Sequence, residues 1–146
     1  MDNIRKADKT DLVRIAEIQI FNYRMYFYPI FQDDDYYFAT LQVPTVMQWY
    51  EGHLGSIWVY DDGVVKGFIQ VEDSEIKKLF VEPVLHNASI GAKLLTIAIE
   101  EQHADFLWAL EKNSKAISFY ERHGFHKTKN KKLEEDTTEF LIRMER

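Results

Sequence analysis

The segment LFVEPVLHNASIGAKLL, residues 79–95, joins a strand to a helix through a proline and a loop of small residues. Its first part is apolar and ends at Pro83, and its last part carries apolar residues at helical spacing. Backbone N–H groups at a helix N-terminus bind anions, and small residues let a phosphate come close. The connecting loop is therefore either a cradle for a pyrophosphate or an ordinary turn between strand and helix.

A second segment, NSKAISFYERHGF at residues 113–125, is typical of an amphipathic helix that ends at Gly124. Asn113, Ala116 and Tyr120 fall on one stripe of this helix. The first and last of them are about 10.5 Å apart along the axis at 1.5 Å per residue, which suits an elongated ligand. The alternative is that Asn113 caps the helix and Tyr120 packs in the core with a satisfied hydroxyl.

The rest of the chain predicts strands and helices in a mixed order. The predicted elements are a strand at 4–6, a helix capped by Thr10 or Asp11, helical pieces within 21–54 broken at Pro29 and Pro44, strands at 56–60, 64–72 and 75–81, a helix at 89–103, a strand at 106–109, a helix at 113–123, and strands at 125–129 and 137–144. Asp61-Asp62-Gly63 predicts a hairpin turn. An antiparallel middle followed by a βαβ unit predicts an α/β fold with a mixed sheet, in the order β-α-α-β-β-β-α-β-α-β-β.

Length, charge and composition restrict the class of protein. The 146 residues, 46% hydrophobic and 29% charged, predict one soluble globular domain, residues 1–146. A net charge of −6 argues against a nucleic-acid partner, and the one basic run, 127–132, precedes three acidic residues and predicts a solvated hairpin. The absence of cysteine excludes disulfides and thiolate chemistry and suits a cytoplasmic location. No signal peptide and no apolar run of ~20 residues is seen, so no membrane partner is expected.

Taken together, the two segments resemble the GNAT (general N-acetyltransferase) superfamily. The strand, V-x-P, small loop and G-x-x-L-L of residues 79–95 are similar to its acyl-CoA-binding motif. The pattern N-x-x-A-x-x-F-Y-E-x-x-G-F of residues 113–125 is similar to its second signature. The resemblance covers essentially the whole chain, with residues 21–54 matching in position only. It implies a GNAT acyl-CoA N-acyltransferase fold and an enzyme that uses acetyl-CoA to acetylate an amine.

The resemblance also implies roles for single residues. Backbone groups at Phe80 and Val81 are implied to pair with the pantetheine arm as with an added strand. Asn113 is implied to contact CoA, and Tyr120 to donate a proton to the departing thiolate, which a phenol with a pKa of about 10 can do. The residues implied to hold the pyrophosphate are His86, Asn87, Ala88, Ser89, Ile90 and Gly91.

The phosphate loop departs from the family pattern at three positions. The family usually has Gln or Arg in place of His86, often Gly in place of Asn87, and Gly in place of Ser89, whereas Gly91 is kept. Binding through backbone N–H groups tolerates such changes, and Ser89 is a candidate cap for the following helix. A β-carbon at Ser89 would also come close to a phosphate. The departures therefore bear on cofactor affinity more than on the fold.

A general base is required because an amine with a pKa near 10.4 is mostly charged at neutral pH. Glu75 aligns with the glutamate that some histone acetyltransferases of the superfamily use as the base, and Glu72 lies nearby on the preceding strand. A carboxylate acting directly or through a water molecule fits this role. The alternative is that both glutamates are surface charges at strand ends.

The acceptor side is predicted to lie in residues 21–50, which hold eleven of the 21 aromatic residues and the run 33–35 of three aspartates. Aromatic faces and carboxylates together suit a cationic amine. This favours a small cationic molecule such as a polyamine or amino sugar, or a peptide amine, as the acceptor. The alternative is that most of these rings belong to the core or to a homodimer interface.

The leading hypothesis is direct acetyl transfer in a ternary complex, without a covalent intermediate and without a metal. The five histidines show no metal-ligand spacing. A non-catalytic acyl-CoA sensor or interaction domain is the main alternative, supported by Ser89 at a glycine position and opposed by the intact Tyr120 signature. A different nucleotide binder is disfavoured because neither G-x-G-x-x-G nor a Walker lysine motif is present.

Overall fold

The computed structural model describes residues 3–86 and 89–146 and contains a seven-stranded mixed sheet. The strands are β1 (Ile4–Lys6), β2 (Ile57–Asp61), β3 (Val65–Glu72), β4 (Glu75–Val81), β5 (Phe106–Leu110), β6 (His126–Leu133) and β7 (Phe140–Glu145). Across the sheet they follow the order β1-β2-β3-β4-β5-β7-β6. Only β4 and β5 run parallel to each other, and the remaining neighbours are antiparallel.

Helices cover both faces of this sheet. They are α1 (Leu12–Asn22), α2 (Tyr28–Phe31), α3 (Val43–Glu51), α4 (Ile90–Gln102) and α5 (Ser114–Arg122). Two wider π-helical turns, Tyr23–Phe27 and Asp35–Thr40, flank α2. None of the helices within the described residues is long and apolar enough to cross a membrane. The predicted α/β order of elements is confirmed, with the second helical region divided into several pieces.

The core is divided by the sheet into two clusters because side chains of a strand alternate between faces. Phe68 and Ile69 are neighbours on β3 and both are fully buried, yet Phe68 packs beneath α1 and α3 whereas Ile69 packs beneath α4. On α4, Leu94 and Leu95 fill the second cluster. Burial on both faces explains why β3 is apolar along most of its length rather than alternating with polar residues.

The parallel contact between β4 and β5 is short, and this opens the sheet. The two strands pair only at Glu75 with Phe106 and at Ile76 with Leu107, and β5 then continues along β7. The second half of β4, Lys78 to Val81, therefore has no strand on the β5 side. Its outward backbone groups need other partners, and they face the gap in which the candidate site lies.

Some local predictions were wrong in detail. Pro29 and Pro44 do not break helices but stand in the first turns of α2 and α3, where a proline fits because the missing N–H has no partner there. The N-terminal cap is made by Asp8, which forms a capping box with Asp11, rather than by Thr10 or by the Asp11 side chain. The basic run 127–132 lies on the exposed strand β6, as predicted.

Candidate functional site

Two cavities meet at the gap between β4 and β5. One has a volume of about 610 Å³ and the other about 440 Å³. Both are lined by the same central residues: Phe27, Leu79, Phe80, Asn113, Ala116 and Tyr120. The site is therefore one passage with two ends, and Tyr120 stands where the ends join.

The smaller cavity, here called the donor cavity, lies between the end of β4, the start of α4 and the exposed side of α5. Four basic side chains line it, and no carboxylate does so among the described residues: the basic ones are His86, Lys115, Arg122 and His123. The charged side chains among these, Lys115 and Arg122, suit an anionic, phosphate-bearing ligand.

The backbone of β4 presents Leu79 and Val81, not Phe80, to the donor cavity. Glu82 N–H donates to Lys66 C=O on the β3 side, at 2.9 Å. Opposed residue pairs in an antiparallel ladder alternate between hydrogen-bonded and non-hydrogen-bonded. Phe80 lies two residues before Glu82 and opposite Phe68, so its backbone groups also hydrogen-bond toward β3. The prediction that the Phe80 backbone pairs with a pantetheine arm is therefore wrong, because its polar groups are engaged within the sheet. Leu79 takes this position, and the Phe80 ring contributes to the cavity wall.

The carbonyl of Val81 is already occupied. It accepts from Asn22 Nδ2 at 2.9 Å and lies 3.1 Å from His86 Nε2, which must carry the hydrogen because a carbonyl only accepts. The other ring nitrogen of His86 lies 3.1 Å from the Tyr26 hydroxyl, and the two rings stack. Burial, with a smaller effect of Lys115, lowers the pKa of His86. His86 is thus a neutral ring held in the donor cavity, and the Val81 N–H is the group left for a ligand.

The beginning of α4 is strained at Ser89. This residue has φ +66°, a left-handed conformation that favours glycine, and its side chain makes no capping hydrogen bond. The prediction that Ser89 caps the helix is wrong, because this backbone conformation does not direct its hydroxyl at the free N–H groups. Ile90 is buried in the core rather than exposed to the donor cavity, whereas Gly91 lines that cavity. Asn87 and Ala88 lie outside the described residues.

Exchanging Ser89 for glycine is expected to stabilise the protein. Removing the β-carbon from a left-handed residue stabilises the folded state by about 1–2 kcal/mol. Glycine also gives the unfolded chain more conformational freedom, which offsets about 0.5–1 kcal/mol of this gain. We expect the free energy of unfolding in urea to rise by about 0.5 kcal/mol. The same exchange at Ser118, an exposed position within α5, should lower it by about 0.5 kcal/mol. If both exchanges changed the free energy of unfolding in the same direction, the strain assigned to Ser89 would be contradicted.

Asn113 is both a helix cap and a residue of the cavity lining. Its Oδ1 accepts from Ala116 N–H at 3.2 Å, so it caps α5. It also lines both cavities. A contact with CoA through its remaining amide group stays a prediction.

Tyr120 is placed as an acid would be. Its side chain is 8% exposed, and its ring packs edge-on against Phe119 and Phe125. Its hydroxyl makes no hydrogen bond with any of the described residues, contrary to a purely structural tyrosine with a satisfied hydroxyl. Burial raises the pKa of Tyr120, so the phenol keeps its proton at neutral pH. A hydroxyl that keeps its proton and is not engaged by another described residue is available to a ligand that enters the passage.

The larger cavity, here called the acceptor cavity, lies on the other side of Tyr120. Its aromatic wall comes from the two π-helical turns and α2: Tyr23, Phe27, Phe31, Tyr36 and Tyr37. Its carboxylates are Asp33, Glu134, Glu135 and Asp136. The predicted acidic and aromatic lining is thus partly local, from residues 23–37, and partly from the distant turn between β6 and β7.

The two glutamates considered as the general base lie away from the cavities. Glu75 begins β4 and pairs with Lys77 at 3.2 Å, and it is not among the residues that line either cavity. Glu72 lies on the neighbouring strand, where it accepts from Ser56 and pairs with His53. These placements favour the reading of both as strand-end charges, and the assignment of Glu75 as the base stays an untested prediction.

Three residues of the site were not singled out from the sequence. Leu79 was missed because the hydrogen-bonded face of a strand depends on its register. Lys78 and Glu134 both line the acceptor cavity, although they are far apart in the chain. Alternation along β4 offered a signal for Lys78, since it shares a face with Phe80. No local signal identifies Glu134.

The fold and this paired site define the class of acyl-CoA-dependent acetyltransferases. A family model for the GNAT acetyltransferase domain matches residues 53–127, about half of the chain, and the chain belongs to that family. Acetyl transfer from acetyl-CoA is the general chemistry that this membership supports. No curated protein matches the chain.

Solved structures agree on the fold. PaiA N-acetyltransferase from Thermoplasma acidophilum in complex with coenzyme A is 18% identical, with a TM-score of 0.71 over 100% of this chain and 99% of that one. YncA from Salmonella typhimurium, solved with its cofactor acetyl-CoA, is 22% identical, with a TM-score of 0.64 over 97% of this chain and 90% of that one. Ribosomal-protein-alanine N-acetyltransferase from Brucella melitensis is 20% identical, with a TM-score of 0.69 over 98% of each chain.

Proposed function

We propose that this protein transfers an acetyl group from acetyl-CoA to a primary amine, on a small cationic molecule or a peptide, by direct attack in a ternary complex. The observation that carries the proposal is the meeting of two oppositely charged cavities at Tyr120. The donor cavity has basic walls, and the acceptor cavity has aromatic and acidic walls. Two substrates entering from opposite ends would bring thioester and amine together beside one phenol.

The proposed reaction needs one attack and two proton movements. The neutral amine attacks the thioester carbonyl carbon, a C–N bond forms and the C–S bond breaks. The amine loses one proton to a base, and the thiolate receives one from Tyr120. The phenol then recovers its proton through solvent, which leaves an amide and CoA. A thiolate is a good leaving group, so a weak acid is sufficient.

Charge supports an amine as the acceptor. Four carboxylate side chains and eight aromatic rings line the acceptor cavity, and both attract a cation. A carboxylate at this cavity, acting directly or through a water molecule, is a better placed base than Glu75, because it faces the space that the amine would enter.

The proposal includes a cytoplasmic location, which suits a chain without cysteine. It is compatible with either a monomer or a homodimer.

Thermal unfolding with acetyl-CoA, CoA and NAD tests the donor side. Both CoA species are expected to raise the Tm, whereas NAD is not, because only the former combine a diphosphate with a pantetheine arm that fits the passage. At a ligand concentration of 100 Kd the stabilisation is about 2.7 kcal/mol. Stabilisation by NAD as well, or by none of the three, would contradict the assignment of the donor cavity.

The acceptor side is tested by acetylation assays with putrescine, an aminoglycoside and a lysine peptide. Turnover of any one of them supports the proposed function. Binding of CoA without turnover of any amine would instead support the alternative of a non-catalytic acyl-CoA-binding domain. The strained Ser89 and the occupied Val81 carbonyl are the features that would favour that alternative.

A further inference from the structure

Lys78 is a cation without a partner in the acceptor cavity. It lies on β4 opposite Gln70, on the same face as Phe80, and it is largely shielded from solvent. Among the described residues it has no carboxylate oxygen within the 4.0 Å of an ion pair, although four carboxylate side chains line the same cavity.

Four other lysines of the protein form ion pairs. Carboxylate oxygens lie within 3.2 Å of the ammonium groups of these four: Lys66, Lys77, Lys112 and Lys131. Surface pairs of this kind contribute little to stability. A shielded cation gains far more from a counter-ion, and Lys78 has none among the described residues. The pKa of Lys78 is lowered by burial, which expresses the same lack of solvation.

Glu134 lines the same cavity as Lys78. The turn that carries Glu134 is fixed, since its N–H donates to Glu139 C=O at 2.8 Å and its Oε1 accepts from Glu135 N–H at 3.2 Å. Its charge acts on Lys78 and on Tyr36, but no ion pair joins Glu134 to Lys78. A positive and a negative group thus face one cavity without neutralising each other.

We propose that the acceptor carries a carboxylate beside its amine, as an α-amino acid does, and that Lys78 binds this carboxylate. This inference rests on the proposed function and specifies the substrate class of the same site. Glu134 and its acidic neighbours attract the ammonium end, and the aromatic wall packs against the remainder of the molecule. The ligand thereby supplies the counter-ion that the protein does not provide.

Matched pairs of acceptors test the proposal. Tyrosine and tyramine, lysine and cadaverine, and ornithine and putrescine each differ only by the carboxylate. With acetyl-CoA saturating, we expect at least one amino acid to exceed its amine about 30-fold in kcat/KM, the effect of leaving one buried charge unpaired. Lys78→Met should reduce that ratio to near one, and Lys78→Arg should retain part of it. Lys66→Met, which removes a lysine of β3 that pairs with Asp62 and lines neither cavity, should leave it unchanged.

The outcomes separate this proposal from the proposed function. The role of Lys78 is overturned if every amine is acetylated as fast as its amino acid or faster. It is also overturned if folded Lys78→Met keeps the preference for the amino acid. In both cases acetyl transfer stands. If only the lysine peptide is acetylated, the role of Lys78 is likewise overturned and acetyl transfer stands. Absence of turnover with any amine refutes both. If Lys78→Met does not fold, competition in the wild-type protein decides: 3-(4-hydroxyphenyl)propanoate, which is tyrosine without its amine, must inhibit better than the corresponding alcohol.

Discussion

Replacing Tyr120 with phenylalanine is expected to lower kcat by about 10²–10⁴-fold, the range of general acid catalysis. The dissociation constant for CoA should change little. The exchange removes one oxygen and keeps the ring that packs against Phe119 and Phe125. The loss is therefore confined to the group that meets the departing sulfur.

The environment of Tyr120 explains why the effect should be large. Burial raises its pKa, so the phenol is fully protonated at working pH and is a donor in every molecule. A thiolate formed in the same shielded space is poorly solvated, so a hydrogen bond or proton from Tyr120 stabilises it more than it would in water. No other hydroxyl is common to both cavities among the described residues.

Tyr60 provides a matched control for this variant. Its side chain is also 8% exposed and packs in the same core cluster, but it lines neither cavity. Within residues 3–86 and 89–146, its hydroxyl accepts only from Asn3, at 3.3 Å. Tyr60→Phe should leave kcat within about two-fold while costing about 1 kcal/mol of stability. Steady-state kinetics and calorimetric CoA binding compare the two variants, and normal turnover by Tyr120→Phe would rule out its role as the acid.

The sequence predicted those features that depend on local pattern. Residues 113–125 carry helix cap, ligand face and C-terminal glycine at fixed spacing, so α5 with Asn113 and Tyr120 was correctly located. Residues 79–95 likewise predicted the end of β4 and the start of α4. Hydrophobic periodicity and turn residues are local quantities, and they were sufficient for the order of elements. The family was indicated by the resemblance of these two segments to its motifs.

Features that depend on register or on distant contacts were not predicted correctly. The backbone role was assigned to Phe80 rather than to Leu79 because the bonded side of a strand is set by its neighbour, β3. Glu134 and Lys78 share a cavity only because the turn between β6 and β7 reaches β4. Ser89 was expected to act as a cap, since a serine before a helix usually does, but its conformation is imposed by the loop around it.

Replacing Phe68 with alanine is expected to lower the free energy of unfolding by about 3–5 kcal/mol. Phe68 is fully buried in the central strand, and its ring contacts Tyr50 of α3 and Phe80 of β4. Truncation would leave a void between the sheet and α1 that rigid neighbours on three elements cannot fill. For a domain of this length the corresponding fall in Tm is about 10–15 °C.

Phe21→Ala is the control that separates the loss of core packing at Phe68 from the loss of an aromatic ring as such. Phe21 lies on the exposed side of α1, where its side chain is 47% exposed, so its truncation should cost no more than about 0.5 kcal/mol.

Phe68 also supports the Phe80 ring, which forms a wall shared by both cavities. Phe68→Ala should therefore weaken CoA binding at temperatures where it remains folded, which Phe21→Ala should not. Equal losses of stability in the two variants, measured by urea unfolding, would contradict the placement of Phe68 in the core. Unchanged CoA affinity in folded Phe68→Ala would show that the Phe80 wall holds its position without support from beneath.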